Sequence, residues 1–211
     1  MKAGSLRLIL RSAALALLVP VLAQAGDVRD KVEYCKNCHG SEGQGFHGYY
    51  TAPRLAGQTS AYLENQFQAL LSHRRDNPVA KQFMVHALDG TDASMRASIA
   101  QYFSHLHAGP GGGGPRHLVA RGKKIFEEGV PDSNVPACSA CHGPKAEGDQ
   151  ANPRLAGQVY SYTVAQLTGW GKGYRSKDPV TPGETNVMGP IATSMTMEQI
   201  SAVAAYLSYQ R

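Results

Sequence analysis

Cys35-Lys36-Asn37-Cys38-His39-Gly40 and Cys138-Ser139-Ala140-Cys141-His142-Gly143 are one pattern written twice in a single chain. A second stretch returns without change: Pro53-Arg54-Leu55-Ala56-Gly57-Gln58 recurs as Pro153-Arg154-Leu155-Ala156-Gly157-Gln158. Tyr62 and Gln66 then match Tyr162 and Gln166, and Asp76-Asn77-Pro78 parallels Lys177-Asp178-Pro179. Ala100-Gln101-Tyr102-Phe103-Ser104 parallels Ala204-Ala205-Tyr206-Leu207-Ser208. The order is kept throughout, which makes this a duplicated domain, and two copies are too few for a solenoid. Gly109-Pro110-Gly111-Gly112-Gly113-Gly114-Pro115 holds neither helix nor strand and marks the join. The expected layout is one domain over residues 26–108, a linker over 109–116 and a second domain over 117–211. Domains this small bury a limited core and gain from a staple or a large bound apolar group.

The periodicity is helical. Tyr62, Leu63, Phe67, Leu70 and Leu71 form an amphipathic stripe, as do Met95, Ile99, Tyr102, Phe103 and Leu106. Ile200, Val203, Ala204 and Leu207 repeat it behind a capping box of Thr196 and Gln199. Arg121 to Glu128 reads as a short helix entering the second half. The intervening Gly/Pro-rich stretches show no strand alternation, so the fold class is all-α with long loops wrapped around something functional.

Residues 1–25 read as a secretory leader: Lys2, Arg7 and Arg11, an apolar run from Ala13 to Leu22, and Ala23-Gln24-Ala25 as the cleavage site before Gly26. The apolar run is shorter than the roughly 20 residues of a spanning helix. The leader holds three of the 21 basic residues and none of the 16 acidic ones, so the mature balance is 18 against 16. The formal charge of +5 therefore belongs mostly to the leader. No clustered Lys/Arg stripe remains, and a nucleic-acid partner is not expected. Export implies an oxidising compartment, where free thiols are unusual.

A Cys-x-x-Cys-His pentad reads as a c-type haem attachment site. On a helical turn, residues three or four apart share a face. Cys35 and Cys38 therefore reach two neighbouring vinyl groups of one porphyrin edge, and His39 turns beneath the ring to the iron. Cys138, Cys141 and His142 repeat the arrangement. Paired zinc motifs usually lie about 15 to 20 residues apart, whereas 99 residues separate Cys38 from Cys138. A thioredoxin-like pair needs a strand–helix context that neither motif has. Two haem sites consume all four Cys and leave no thiolate for an axial position.

An electron-transfer haem commonly carries Met opposite His. Met84 lies 45 residues after His39, and Met188 lies 46 after His142. Met84 is seven before Thr91 and Met188 eight before Thr196, and this equivalence selects them as sixth ligands. Met95 falls in a helix stripe and reads as core, while Met195 and Met197 flank a helix start opposite Gly90 and Asp92. His86 competes with Met84, but its counterpart is Pro190. His47, His73, His105, His107 and His117 lack counterparts and read as solvated. The Pro53 and Pro153 carbonyls are candidates to accept the other imidazole proton. Arg54 and Arg154 are candidates for haem propionates or for loop acceptors, and the sequence leaves that choice open. Leu55 and Leu155 read as haem-contacting core.

With both haem motifs, both Pro-Arg-Leu-Ala-Gly-Gln loops, Met84, Met188 and the Gly-rich linker in view, the chain resembles the class I c-type cytochromes, specifically the dihaem cytochrome c4 family. The resemblance covers the whole mature chain. It implies two tandem all-α cytochrome c domains related by a pseudo-twofold axis, each wrapped around one covalent haem with His and Met on the iron. It further implies a monomeric periplasmic electron carrier, soluble or loosely attached to the membrane. Its partners on that reading are a cytochrome bc-type donor and a terminal oxidase. A dihaem peroxidase, or the electron-transfer subunit of a periplasmic dehydrogenase, is the alternative. Four successive glycines, Gly111 to Gly114, depart from the family's linker.

Overall fold

Helix follows helix in both halves of the chain. In the computed structural model, residues 27–175 and 186–211 are described. The first half runs α1 (27–39), β1 (Phe46–His47), β2 (Thr51–Ala52), α2 (Ser60–Leu71), α3 (Pro78–Leu88) and α4 (Ala93–Ser104). The second begins with a 3-10 turn at Arg116–Leu118 and α5 (Val119–Glu128), then a 3-10 turn at Pro131–Ser133. It continues through α6 (Ser139–His142), α7 (Tyr160–Gly171), α8 (Met188–Thr193) and α9 (Met197–Tyr209). The all-α expectation holds: the strands among the described residues are the two-residue pair β1 and β2, with Phe46 opposite Ala52. The leader over 1–25 and the Lys177-Asp178-Pro179 match lie outside the described residues.

The helices read from periodicity are α2, α4, α5 and α9. Each starts or stops for a local reason. The Thr59 side chain accepts from the Tyr62 N–H at the start of α2, and the Asp92 carboxylate accepts from Met95 N–H at 2.7 Å at the start of α4. α9 begins on the Thr196/Gln199 capping box. α3 escaped the sequence reading because its apolar residues run all round it. Ala80 and Leu88 are buried, but Val79 and Phe83 on the same helix are exposed. Pro78 at its first turn loses only an N–H that has no helical partner anyway.

Each half closes its own core. Val32, Leu55, Leu63, Phe67, Leu70, Leu88, Ile99 and Phe103 pack together in the first. Ile125, Phe126, Val203, Tyr206 and Leu207 do so in the second. The tightest crossing is α5 on α9, tied outside by the Arg121–Glu198 ion pair. A Cβ on Gly122 would sit 1.9 Å from the Ala202 carbonyl oxygen, so only glycine lets these backbones meet.

The glycine-rich join is pinned. Gly112 N–H donates to Ser208 O at 2.6 Å, and the Tyr209 hydroxyl donates to Gly114 O at 2.7 Å. Arg54 Nη1 donates to Gly109 O. Two of its glycines fit close backbone approaches: a Cβ on Gly111 would run into the Gly157 carbonyl oxygen, and one on Gly114 would lie 2.7 Å from Ala205 Cα. Gly122→Ala is expected to destabilise the holoprotein by about 1–3 kcal/mol through overpacking. Chemical denaturation should show the loss, with the second half unfolding first.

Candidate functional site

Each candidate proximal histidine sits at the end of a helix whose chain then turns sharply. His39 closes α1 and His142 closes α6. Both are 5% exposed, while the other six histidines of the chain are exposed. His39 Nδ1–H donates to Pro53 O at 2.8 Å, and His142 Nδ1–H donates to Pro153 O at 2.9 Å. Burial pulls both imidazoles below their usual range, and the bond to the proline carbonyl opposes this only in part. The rings are therefore neutral, with Nδ1 protonated and the Nε2 lone pair uncommitted.

Cys35 and Cys138 are half-buried against the two cores, and Cys38 and Cys141 are exposed. No disulfide joins them. Burial pushes the Cys35 and Cys138 thiols up to about 11. Thiols three residues apart on one helical turn suit thioether formation with adjacent vinyl groups.

Met84 lies on α3, half-buried against the first core, the core on which Cys35 also packs. Met188 opens α8 and is half-buried. The caps that the structure assigns are Asp92 and Thr196, so each Met lies eight residues before its cap. Counting from Thr91 had hidden that identity, and it moves the counterpart of Met195 from Gly90 to Thr91. Met95 and Met195 pack on the cores, and Met197 is exposed. Leu55 is buried in the first core and Leu155 packs on the second.

The repeated hexapeptides meet each other. In each, one carbonyl accepts two successive N–H groups: Gly43 O from Leu55 and Ala56 at 2.8 and 2.9 Å, and Ala146 O from Leu155 and Ala156 at 2.8 and 2.9 Å. Gly57 and Gly157 take φ of +69° and +70°, the left-handed turn that glycine adopts without cost. Gln58 and Gln158 then cross the seam. Arg54 N–H donates to Gln158 Oε1 at 2.8 Å and Gln158 Nε2 donates to Arg54 O at 3.1 Å. Arg154 N–H donates to Gln58 Oε1 at 2.7 Å and Gln58 Nε2 donates to Arg154 O at 3.0 Å. Four hydrogen bonds related by a pseudo-twofold axis thus tie the loops whose proline carbonyls orient the histidines.

Sequence reasoning missed a second cross-seam cluster. Arg75 donates to Gln66 Oε1 at 2.8 Å, Tyr162 Oη at 2.7 Å and Gln166 Oε1 at 3.0 Å. Arg175 donates to Gln166 Oε1 at 3.2 Å and Gln66 Oε1 at 3.0 Å. The signal was present: Arg75 follows Gln66 by the same nine residues that separate Arg175 from Gln166.

These residues fit a haem at each motif. Buried Arg54 and Arg75 form no ion pair with a carboxylate among the described residues. The Nε atoms of Arg54, Arg75 and Arg154 and Nε1 of Trp170 are buried without an acceptor. Burial lowers the Arg54 and Arg154 guanidiniums from their usual range, and the Arg154 charge lowers Arg54 further. Orphaned donors and uncompensated cations call for anionic acceptors such as propionates.

The halves differ between Gly45 and Pro53. The first half there carries the hairpin with Phe46, Tyr49 and Tyr50 in mutual ring contact, whereas the second makes a tighter turn closed by Asp149 and Asn152.

The Cytochrome c family profile matches residues 119–210. "Cytochrome c-552" of Acidithiobacillus ferridurans is 36% identical over 82% of this chain and 72% of its own length. "Thiosulfate dehydrogenase electron acceptor" of Stutzerimonas stutzeri is 31% identical over 92% of this chain and 90% of its own. The crystal structure of reduced cytochrome c4 from Pseudomonas stutzeri superposes with a TM-score of 0.76 at 30% identity, covering 89% of this chain and 98% of that one. For the seam, Gln158→Leu strands the Arg54 N–H and carbonyl, and a loss of about 2–4 kcal/mol is expected. Scanning calorimetry of the holoprotein should then show the halves melting in two separate transitions.

Proposed function

Because the chain belongs to the cytochrome c4 family and carries two covalently bound haem c groups, on Cys35/Cys38 and Cys138/Cys141, we propose that it moves single electrons through the periplasm between respiratory complexes, towards a terminal oxidase. The observation that carries this reading is the doubled site: a buried, neutral imidazole fixed by a proline carbonyl, with a methionine eight residues before the following helix cap, in both halves. His39 and Met84 would hold the iron of the first haem, and His142 and Met188 that of the second. The bound iron supplies a reversible one-electron Fe(III)/Fe(II) couple.

The chain's own residues hold that couple in place. Pro53 and Pro153 accept the Nδ1 protons and aim each Nε2 at its iron, which also raises the basicity of the ring. The methionine sulfurs favour the reduced state, and burial in an apolar core raises the potential further. Two equivalent methionines leave no ligand position for a peroxide, which sets the reading apart from a dihaem peroxidase. The leader over residues 1–25 takes the chain across the inner membrane and is cleaved before Gly26.

A second reading has its own support. A relative 31% identical over most of both chains is called a thiosulfate dehydrogenase electron acceptor, so the donor on this reading is a periplasmic dehydrogenase. Reducing the purified holoprotein with a cytochrome bc complex in one arm and thiosulfate dehydrogenase in the other, then following reoxidation by a haem–copper oxidase, separates the two donors. Met84→Ala is expected to remove the ferric Met–iron charge-transfer band from one haem and to let that haem bind cyanide. Met188→Ala should do the same at the other. Bands that survive both substitutions would overturn the axial assignment.

A further inference from the structure

The loop that follows each candidate proximal histidine is the same, bond for bond. Gly43 N–H donates to Gly40 O at 2.8 Å, and Ala146 N–H donates to Gly143 O at 3.0 Å. Gly45 N–H donates to His39 O at 2.8 Å, and Gly148 N–H donates to His142 O at 2.9 Å. Between these anchors Gln44 and Glu147 are counterparts. Gln44 Oε1 accepts the Glu42 N–H at 2.9 Å, and Glu147 Oε2 accepts the Lys145 N–H at 2.8 Å. Each side chain folds back on the glycine next to the histidine. A Cβ on Gly40 would run into the Gln44 amide, and one on Gly143 into the Glu147 carboxylate. One position, in one hydrogen bond, therefore holds a neutral amide in the first half and a carboxylate in the second. The charge is felt locally. Burial lowers the Arg154 guanidinium and the Glu147 charge opposes that, whereas Arg54 is lowered by burial and further by the like charge of Arg154.

A fixed negative charge near an iron favours Fe(III) over Fe(II). We propose that Glu147 sets the second haem apart from the first, making its iron easier to oxidise than the same site with glutamine would. This rests on the dihaem reading and adds to it the residue that makes two copies of one site inequivalent. Glutamine and glutamate have nearly the same shape and accept the same N–H here, so what differs is the charge. Glu42 and Lys145 also differ in charge between the halves, but both are exposed, and water screens them. Glu147 is half-buried, and its field is screened less. A unit charge about 12 Å away changes an equilibrium roughly tenfold at an effective dielectric of about 20, and roughly threefold at about 40.

The test is spectroelectrochemical titration of the holoprotein, with each one-electron step assigned through the resolved proton resonances of the haem methyl groups. Glu147→Gln is expected to raise the reduction equilibrium constant of the second haem roughly three- to tenfold and to leave the first within about twofold. Gln44→Glu should lower that of the first haem by a similar factor and leave the second in place. Each half already accommodates the residue introduced into the other, and Gln44→Glu decides alone should Glu147→Gln fail to fold. Glu147→Asp keeps the charge on a shorter side chain, so its second step is expected within about twofold of the wild type. A second step that stays put in Glu147→Gln overturns the proposal, as does an equal shift of both haems. A shift in Glu147→Asp as large as in Glu147→Gln would trace the effect to the shape of the loop and would overturn it too. Two one-electron steps and two Met–iron bands in the wild type show that the dihaem reading stands, so each of these results then counts against this proposal alone.

Discussion

The exchange of hydrogen bonds between Gln58 and the Arg154 backbone, and between Gln158 and the Arg54 backbone, constrains everything around it. Each glutamine amide fills both the donor and the acceptor of one peptide segment in the opposite half. Those segments follow Pro53 and Pro153, whose carbonyls hold the two buried histidines. The orientation of each imidazole is therefore fixed partly by the other domain. A single small domain has too little core to hold such a loop firmly; two copies facing each other supply the missing partner.

The seam is also where the electrostatics accumulate. Arg54 and Arg75 enter it buried and without a carboxylate partner from the described residues. Such an arrangement is costly for the polypeptide alone and becomes favourable with haem propionates as counterions. The same cofactor that fills each apolar core thus settles the charges between the cores. The pinned linker belongs to this scheme: Gly109 receives the Arg54 guanidinium, and Gly111 lies against the Gly157 carbonyl. Two of the four successive glycines, Gly111 and Gly114, are spent on close packing.

The duplication was legible because its markers are covalent or backbone requirements. Cys-x-x-Cys-His is fixed by haem chemistry, and Gly57 and Gly157 by a left-handed turn. Helices with one apolar stripe, such as α2 and α9, were legible for the usual reason of periodicity. α3 was not, because Val79 and Phe83 face outward while Ala80 and Leu88 face inward. The Nδ1 bonds to Pro53 and Pro153 were foreseeable from what a ligating histidine needs. The arginine–glutamine array was not, because hydrogen bonds between residues about a hundred apart leave only an equal spacing in the sequence. The roles of Arg54 and Arg154, left open by sequence, divide between a loop carbonyl for Nη1 of Arg54 and orphaned Nε atoms suited to propionates.

Native-state amide hydrogen exchange at Arg54 and Arg154 in the holoprotein tests the central claim most directly. Both N–H groups donate to a side chain of the opposite half, across the seam. If the crossed glutamines hold the halves together, the two amides exchange slowly, at matching rates set by a common opening of the seam. Fast exchange at both, with the core amides of α4 and α9 still protected, would contradict the account.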